Sequence, residues 1–287
     1  MPGATNPLEA KVKRLEAGRK KLSKKQTDKY NSHKENLELF ARSLGIKKLD
    51  EWQSRVLTSK SNRIILNCSR QSGKSTVTAI LAVHHAIFYE NSMVIVISRT
   101  WAQSREIFKT MSDFYKSVPY APAATQDTAH SLELSNGSRI VALSGQQPDS
   151  LRGYAGTSLL IVDEASHVLE ETYDVARPTL AVSGGRVILL STPHGRRGFF
   201  YEAFMDATDR YRENIEGWEA ASVTADEVPR IKSSFLEQER KKFPEWFYNQ
   251  EYFCAFLDNT SNIFRFVHEA FEHVDADGDE WQFNIGL

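Results

Sequence analysis

The chain has 287 residues, 41% of them hydrophobic and 25% charged, with a formal net charge of −1 at pH 7. That is enough for one large domain, or one domain plus a smaller attachment, around an ordinary core. The near-neutral balance excludes a globally basic nucleic-acid binder while allowing a local basic patch.

Cys68 and Cys254 are the only cysteines and lie far apart, which suits a reducing compartment better than a disulfide-stapled fold. No apolar run approaches the ~18 residues that span a bilayer. The opening MPGATNPLEAKVKRLEAGRKK offers no apolar stretch for a signal peptide.

From about Leu8 to Leu44 the chain reads as helical and polar, rich in Lys and Arg, with apolar positions only at scattered sites such as Leu15, Leu22, Leu37 and Leu39. Such a run is either a solvated helical arm or an arm that contacts phosphates or a partner. The texture then changes. RIILN at Arg63–Asn67, MVIVIS at Met93–Ser98, LLIVDEA at Leu159–Ala165 and RVILLST at Arg186–Thr192 are unbroken runs of Val, Ile and Leu. Such runs are strands covered on both faces, hence a mostly parallel sheet flanked by helices. Helices are expected over Thr76–Phe88 and Thr100–Val118. Asn136-Gly137 between two alternating runs signals a hairpin of Ser131–Leu134 and Arg139–Leu143, added antiparallel to the sheet. After Pro193 the pattern loosens into a helix at GRRGFFYEAFMDA, a short strand at EAASV and a mostly helical SFLEQERKKFPEWFYNQEYF. The expected division is a basic arm (1–48), an α/β core (49–194), a small lid subdomain (195–258) and a linker (259–287).

RIILNCSRQSGKST places a strand, a tight loop and a helix start in succession. A loop of this kind turns its backbone N–H groups inward at a helix N-terminus, where the dipole also favours anions. The loop residues Ser69, Arg70, Gln71, Ser72, Gly73, Lys74, Ser75 and Thr76 are therefore candidates to cradle the phosphates of ATP. Lys74 can reach the β- and γ-phosphates, and the Ser75 hydroxyl can ligate Mg²⁺. The usual motif begins with Gly where Cys68 stands, so this is a variant loop. LLIVDEAS supplies the second half of the site: a buried strand ending in two acids implies a charge for them to face. Asp163 would hold Mg²⁺, and Glu164 would polarise the attacking water as general base. The two motifs are expected on adjacent elements. Gln53 can read both donor and acceptor edges of adenine with its amide, or be a plain polar helix residue. Ser191 and Thr192 end a core strand beside the acidic one, where hydroxyls can sense the γ-phosphate, or merely form a strand-end turn with Pro193. His194 has no second ligand at metal spacing and reads as structural or solvent-facing. Arg139, Arg196 and Arg197 read as plain surface charges, with phosphate contact the alternative.

Trp52-Gln53, SRQSGKS, VISRTWAQSREIF, SLRGYAGTSLLIVDEAS, ILLSTPHG and YNQEYFCAFLD, in this order, resemble the ATPase half of the large terminase subunit of tailed bacteriophages, the DNA-packaging motor. The likeness spans roughly Leu49 to Asp258, and its SRQSGKS loop is a terminase-style variant. It implies a P-loop NTPase fold of the RecA-like type, working as a ring on the portal of a procapsid in the cytoplasm of an infected bacterium. The implied partners are double-stranded DNA, the portal, the small terminase subunit and further copies of the chain, with a monomer expected for the domain alone and no membrane. By the same resemblance Arg70 touches phosphates of its own subunit's nucleotide, Arg152 acts on a neighbour's, and Ser191-Thr192 is the coupling motif. An arginine suits such roles because its fork of donors matches phosphate oxygens.

Relatives in this family continue into an RNase H-like nuclease whose first strand brings an Asp about where this chain ends, WQFNIGL. The expectation is an ATPase domain alone, without metal-dependent DNA cleavage, and with Asp275, Asp277 and Asp279 solvated. Two other classes stay open: a helicase-like or DNA-remodelling P-loop ATPase, which usually needs a second RecA-like domain, and a non-catalytic nucleotide scaffold, against which Glu164 argues.

Overall fold

A computed structural model describes residues 23–257. Eight strands form one sheet in the spatial order β3-β4-β5-β2-β6-β7-β1-β8. They are β1 (Arg63–Cys68), β2 (Met93–Ser98), β3 (Ala124–Asp127), β4 (Ser131–Leu134), β5 (Arg139–Ser144), β6 (Thr157–Asp163), β7 (Arg186–Ser191) and β8 (Glu219–Val223). From β5 to β8 every neighbouring pair is parallel. Parallel strands need crossovers: helix α4 (Lys74–Phe88) links β1 to β2 across β7 and β6, and α5 (Trp101–Lys116) lies on the path from β2 to its parallel neighbour β5.

The unbroken apolar runs work as expected because successive side chains point to opposite faces. Ile64 and Leu66 face a core with Val77, Ile80, Val83, Ile107 and Met111 of α4 and α5. Ile65 faces the opposite core, with Leu160, Val162, Leu189 and Phe200. Both faces are covered, as a parallel sheet requires.

The Asn136-Gly137 hairpin forms, and its turn is set by two contacts. Gly137 has φ +82°, and a Cβ there would meet Asn91 Oδ1 at 2.3 Å. The Asn136 side-chain amide donates to Ala86 O at 2.9 Å, tying the turn to the end of α4. The hairpin is not wholly an antiparallel addition, however. β5 pairs parallel with β2, so it belongs to the parallel core; β4 and the further strand β3 make the antiparallel edge. β3 is exposed along its whole length and carries no apolar alternation, which is why the sequence does not signal it.

Two expectations change at the ends. The basic arm is a pair of short helices in its described part, α1 (Lys24–Glu35) and α2 (Leu37–Ser43). Phe40 and Ala41 are completely buried in the α4 and α5 side of the core, with Tyr30 and Leu37 packed against it. A Phe side chain removed from water contributes roughly 1.5–3 kcal/mol, so this segment is a docked flank and not a solvated arm. Helix α3 (Glu51–Thr58) follows it and precedes β1. Residues 1–22, including Leu15, Leu22 and the first lysines, lie outside the described residues.

The strand expected in the 195–258 segment, β8, is part of the main sheet, paired parallel with β1 from Ile64↔Glu219 to Cys68↔Val223. Helix α6 (Glu170–Ala176), after β6, and helix α7 (Gly198–Thr208), after β7, cover the Ile65 face through Tyr173, Ala176, Phe200 and Phe204. Helices α8 (Ser233–Lys242) and α9 (Glu245–Phe253) follow, separated at Pro244. The segment 259–287, with Asp275, Asp277 and Asp279, is outside the described residues. Among those described, no helix is long and apolar enough to cross a membrane.

Candidate functional site

β1 ends at Cys68, and the loop after it opens into the N-terminus of α4 at Lys74. Two residues of the loop have positive φ, Gln71 at 58° and Gly73 at 99°. Gly73 is the N-cap of α4 and offers no side chain of its own. The N–H groups of the first helical turn lack intrahelical partners. Together with the helix dipole they make an anion site. Cys68 occupies the usual first-glycine position as the last residue of β1, completely buried, with its thiol pKa pushed upward by burial.

The acids arrive on β6. β7 lies between β1 and β6, so the two motifs are second neighbours and not adjacent. The intervening strand brings Ser191 and Thr192 to the same edge. Asp163 is the last residue of β6 and is buried; its carboxyl is pushed up to about 7, first by burial and then by the neighbouring Glu164 carboxylate, with Lys74 pulling the other way. One of its oxygens, Oδ1, is buried without a hydrogen-bond partner. Glu164 follows at φ 51°. Its Oε1 is 3.7 Å from Lys74 Nζ. Its Oε2 accepts from Ser191 Oγ and Thr192 Oγ1, each at 3.4 Å. Lys74, itself buried, donates to the carbonyls of Cys68 and Ser69 at 3.3 and 3.2 Å. Ser191 also accepts from Ser166 N at 3.2 Å, and Ser166 Oγ donates to Thr192 O at 2.8 Å. The strand-end hydroxyls are thus wired to Glu164 and to the turn that follows it.

An open cleft of about 470 Å³ lies over these groups, lined by Arg70 through Thr76, Glu164 and Thr192, and also by Arg99, Gln103 and His167. The structure therefore brings Arg70, Gln71, Ser72, Gly73, Lys74, Ser75, Thr76, Glu164 and Thr192 together. Ser69, Asp163 and Ser191 sit buried just behind. Asp163 and Ser75 fit a divalent cation: a hard oxygen donor set, with an unpartnered buried carboxylate oxygen that a cation would satisfy. Arg70 is held by a charge-assisted bond to the buried Glu251 of α9, and its backbone N–H donates to Glu251 O at 3.3 Å.

Two expected residues stand elsewhere. Gln53 is buried in α3 and does not line the cleft; its Oε1 accepts from Asp50 N at 3.0 Å in a capping box, and its Nε2 lies under Gly73. The adenine-reading role is therefore not what this geometry displays. Arg152 follows a 3-10 turn (Pro148–Leu151), is exposed, pairs with Asp149 at 2.9 Å, and does not line this cleft. Arg139 pairs with Glu133 at 3.1 Å, and Arg196 donates to Phe256 O at 3.1 Å.

Sequence reasoning missed Arg99, His167, Glu251 and Arg230. Arg99 sits in the quoted VISRTW stretch at the end of β2, so its place at the C-terminal edge of a core strand was available as a signal. Arg230 and Glu251 carry no local motif. His167 packs its ring 4.2 Å from that of His194 and has its pKa lowered to about 4, by burial first and then by His194 and Arg99. His194 is partly buried against that ring. Among the described residues no three His, Cys, Asp or Glu side chains form a metal cluster.

A phosphate-binding loop after β1, acids at the end of β6 and hydroxyls on the strand between them define a P-loop NTPase fold. The model of the T4likevirus-type terminase large subunit, N-terminal part, matches residues 65–271, and the chain belongs to that family. Among curated relatives it is 25% identical over 244 residues to the terminase large subunit of Thermus virus P23-45, covering 74% of this chain and 49% of that protein. The match to the terminase large subunit of Thermus phage G20c is similar, at 26% identity with the same coverage. The chain spans about half the length of these relatives. In fold it is similar to the large terminase ATPase domain of Thermus phage P74-26, with a TM-score of 0.68 at 23% identity, covering 78% of this chain and 99% of that one. The large terminase of a second thermophilic bacteriophage, in complex with ADP, superimposes with a TM-score of 0.59 at 17% identity, over 73% of this chain and 54% of that one.

Proposed function

We propose that this chain is the ATP-hydrolysing domain of a large terminase subunit and drives double-stranded DNA into a procapsid. The observation that carries the reading is the placement of Glu164, held between the Lys74 ammonium and the Ser191 and Thr192 hydroxyls at the mouth of the loop. Structures of the second phage terminase in complex with ADP and with ATP-γ-S support nucleotide binding in this reading.

In this reading the N–H groups of the loop cradle the α- and β-phosphates, Lys74 reaches the β- and γ-phosphates, and Arg70, steadied by Glu251, meets phosphate oxygens. Ser75 and Asp163 would hold Mg²⁺, which would neutralise charge developing on the phosphates. Glu164 accepts a proton from the attacking water as it approaches the γ-phosphorus in line. The bond to the β-bridging oxygen breaks, and ADP leaves with that electron pair. Ser191 and Thr192 share Glu164 and so register the change of charge beside it. Portal, small subunit and a ring of further copies are the partners of the working motor, in the cytoplasm of the infected host.

Phosphate release tests the reading. Lys74→Ala should abolish turnover. Glu164→Gln should bind ATP yet lose ~10²–10⁴-fold in rate, the usual share of a general base. Near-normal turnover in Glu164→Gln would remove the assignment.

A further inference from the structure

Arg230 lies in the loop between β8 and α8, half exposed, with no part in any motif. Its guanidinium nevertheless bonds both the phosphate-binding loop and the support beneath it. Nη1 donates to the carboxylate of Asp50, 2.8 Å from each oxygen. Nη2 donates to the backbone carbonyl of Ser72 at 2.8 Å. Asp50 is buried, is the N-cap of α3, and is fixed there by its capping box with Gln53. The underside of Gly73 is closed by Gln53 and Arg230: a Cβ at Gly73 would stand 2.7 Å from Gln53 Nε2 and 3.3 Å from Arg230 Nη2.

Each peptide of the loop that offers its N–H to phosphate must keep its carbonyl pointed away. The Ser72–Gly73 peptide is the one that delivers the Gly73 N–H beside Lys74. If it flipped, a carbonyl oxygen would face the phosphates in place of a donor. A charged donor on Ser72 O resists the flip, since a hydrogen bond to a charged group is among the stronger ones. The fork geometry lets one side chain hold the carbonyl and the Asp50 carboxylate together, which a lysine does not reproduce.

We propose that Arg230, anchored by Asp50, is a positioning residue for the nucleotide: it holds the Ser72 carbonyl outward and so keeps the phosphate-binding loop preorganised. This rests on the nucleotide site described above. Because the loop meets the phosphates that ATP and ADP share, both should lose affinity alike. Chemistry at the γ-phosphate should be spared once the site is filled.

The test is equilibrium binding of ADP and ATP-γ-S, with steady-state ATP turnover, for the wild-type chain, Arg230→Ala, Arg230→Lys and Asp50→Asn. Expected for Arg230→Ala is a loss of ~10–100-fold in affinity for both nucleotides, the equivalent of one charged hydrogen bond. KM should rise in step and kcat should stay within about three-fold, the pattern of lost uniform binding. Arg230→Lys should fall between, and combining Arg230→Ala with Asp50→Asn should add little to either alone, because the two act as one unit. A variant that binds ADP as tightly as wild type, even if its melting temperature falls, overturns the inference, as does a loss confined to kcat. Should Arg230→Ala not fold, Arg230→Lys and Asp50→Asn decide by the same criteria. If the wild-type chain binds neither nucleotide, the proposed function fails and the inference falls with it. If wild type and variants bind equally well, only the inference fails.

Discussion

Glu164 stands at φ 51°, a region that a non-glycine side chain enters at a cost of about 1–3 kcal/mol. The turn it makes is what separates the two acids: Asp163 stays buried at the strand end while Glu164 swings to the cleft and meets Lys74, Ser191 and Thr192. A second backbone position is as demanding. Gly73→Ala would place a methyl 2.7 Å from Gln53 Nε2 at φ +99°. Gln53 can give way, but the strain stays, so a loss of about 1–3 kcal/mol in chemical denaturation is expected. It should come with nucleotide binding weakened at least ~10-fold, since the loop's donors shift with the backbone. Unchanged affinity would show that the loop tolerates a different backbone. Much of this site was legible from local spelling: Gly73-Lys74-Ser75 and Asp163-Glu164 carry their chemistry in consecutive residues. Gln53 carried two readings in sequence because the amide that could read a base is also the natural N3 partner of the Asp50 cap, and in the fold it makes the cap. Arg230 and Glu251 were illegible for a different reason: they reach the loop across 158 and 181 positions of chain, from segments without periodic or motif signal.

At the scale of elements, strands buried on both faces announced themselves, because four runs of Val, Ile and Leu permit no other placement. Edges did not: β3 is polar and exposed, and β8 is short, so neither alternates strongly enough to reveal its partner. The N-terminal helices were read as a solvated or a phosphate- or partner-contacting arm because lysines dominate their count, although burial depends on a few residues such as Phe40. Removing residues 1–47 should therefore destabilise the domain by uncovering the core around Phe40 and Phe88, which pack ring to ring at 5.5 Å. Denaturation midpoints of that variant and of one lacking only residues 1–22 separate docking from any contact made by the basic run. The same contact region carries an acid sensitivity. His84 on α4 donates from Nε2 to His33 O at 3.0 Å and has its pKa lowered to about 4 by burial. Its unfolded value is near 6.5, so between those limits the unfolded chain binds more protons. Stability is complete above about pH 6.5 and falls as pH drops toward 4, by at most about 3 kcal/mol from this group. His84→Gln should flatten the pH dependence of unfolding in that window by up to about one proton; an unchanged slope would mean that His84 charges without penalty.

For the whole molecule, the cleft is open and the cations that could serve it are unequal in reach. Lys74, Arg70 and Arg99 line it from within one chain. Arg152 does not: it stands exposed beside the fully buried Leu151, on a 3-10 turn braced by Trp101 Nε1 donating to Gln147 Oε1 at 3.2 Å. Leu151 fixes the pedestal, and the ion pair that holds the guanidinium, to Asp149, is a surface one worth about 0–1 kcal/mol. Arg152 can therefore be drawn onto another group at little cost. We propose that in the ring this group is the γ-phosphate of a neighbouring subunit's nucleotide, where an inserted arginine can be worth ~10³–10⁵ in rate. The domain alone should then hydrolyse ATP slowly, with specific activity that rises with protein concentration or on a portal that enforces a ring. Mixing decides the point. Arg152→Ala keeps its own loop and Glu164 but donates no arginine; Glu164→Gln donates Arg152 but has no base. Each should be inactive alone under assembling conditions. In a mixed ring some Arg152→Ala subunits sit beside a Glu164→Gln subunit and receive its Arg152, so part of the wild-type rate should return. A mixture as inactive as its parents, with wild type active in the same conditions, would leave Arg152 a surface residue that pairs with Asp149.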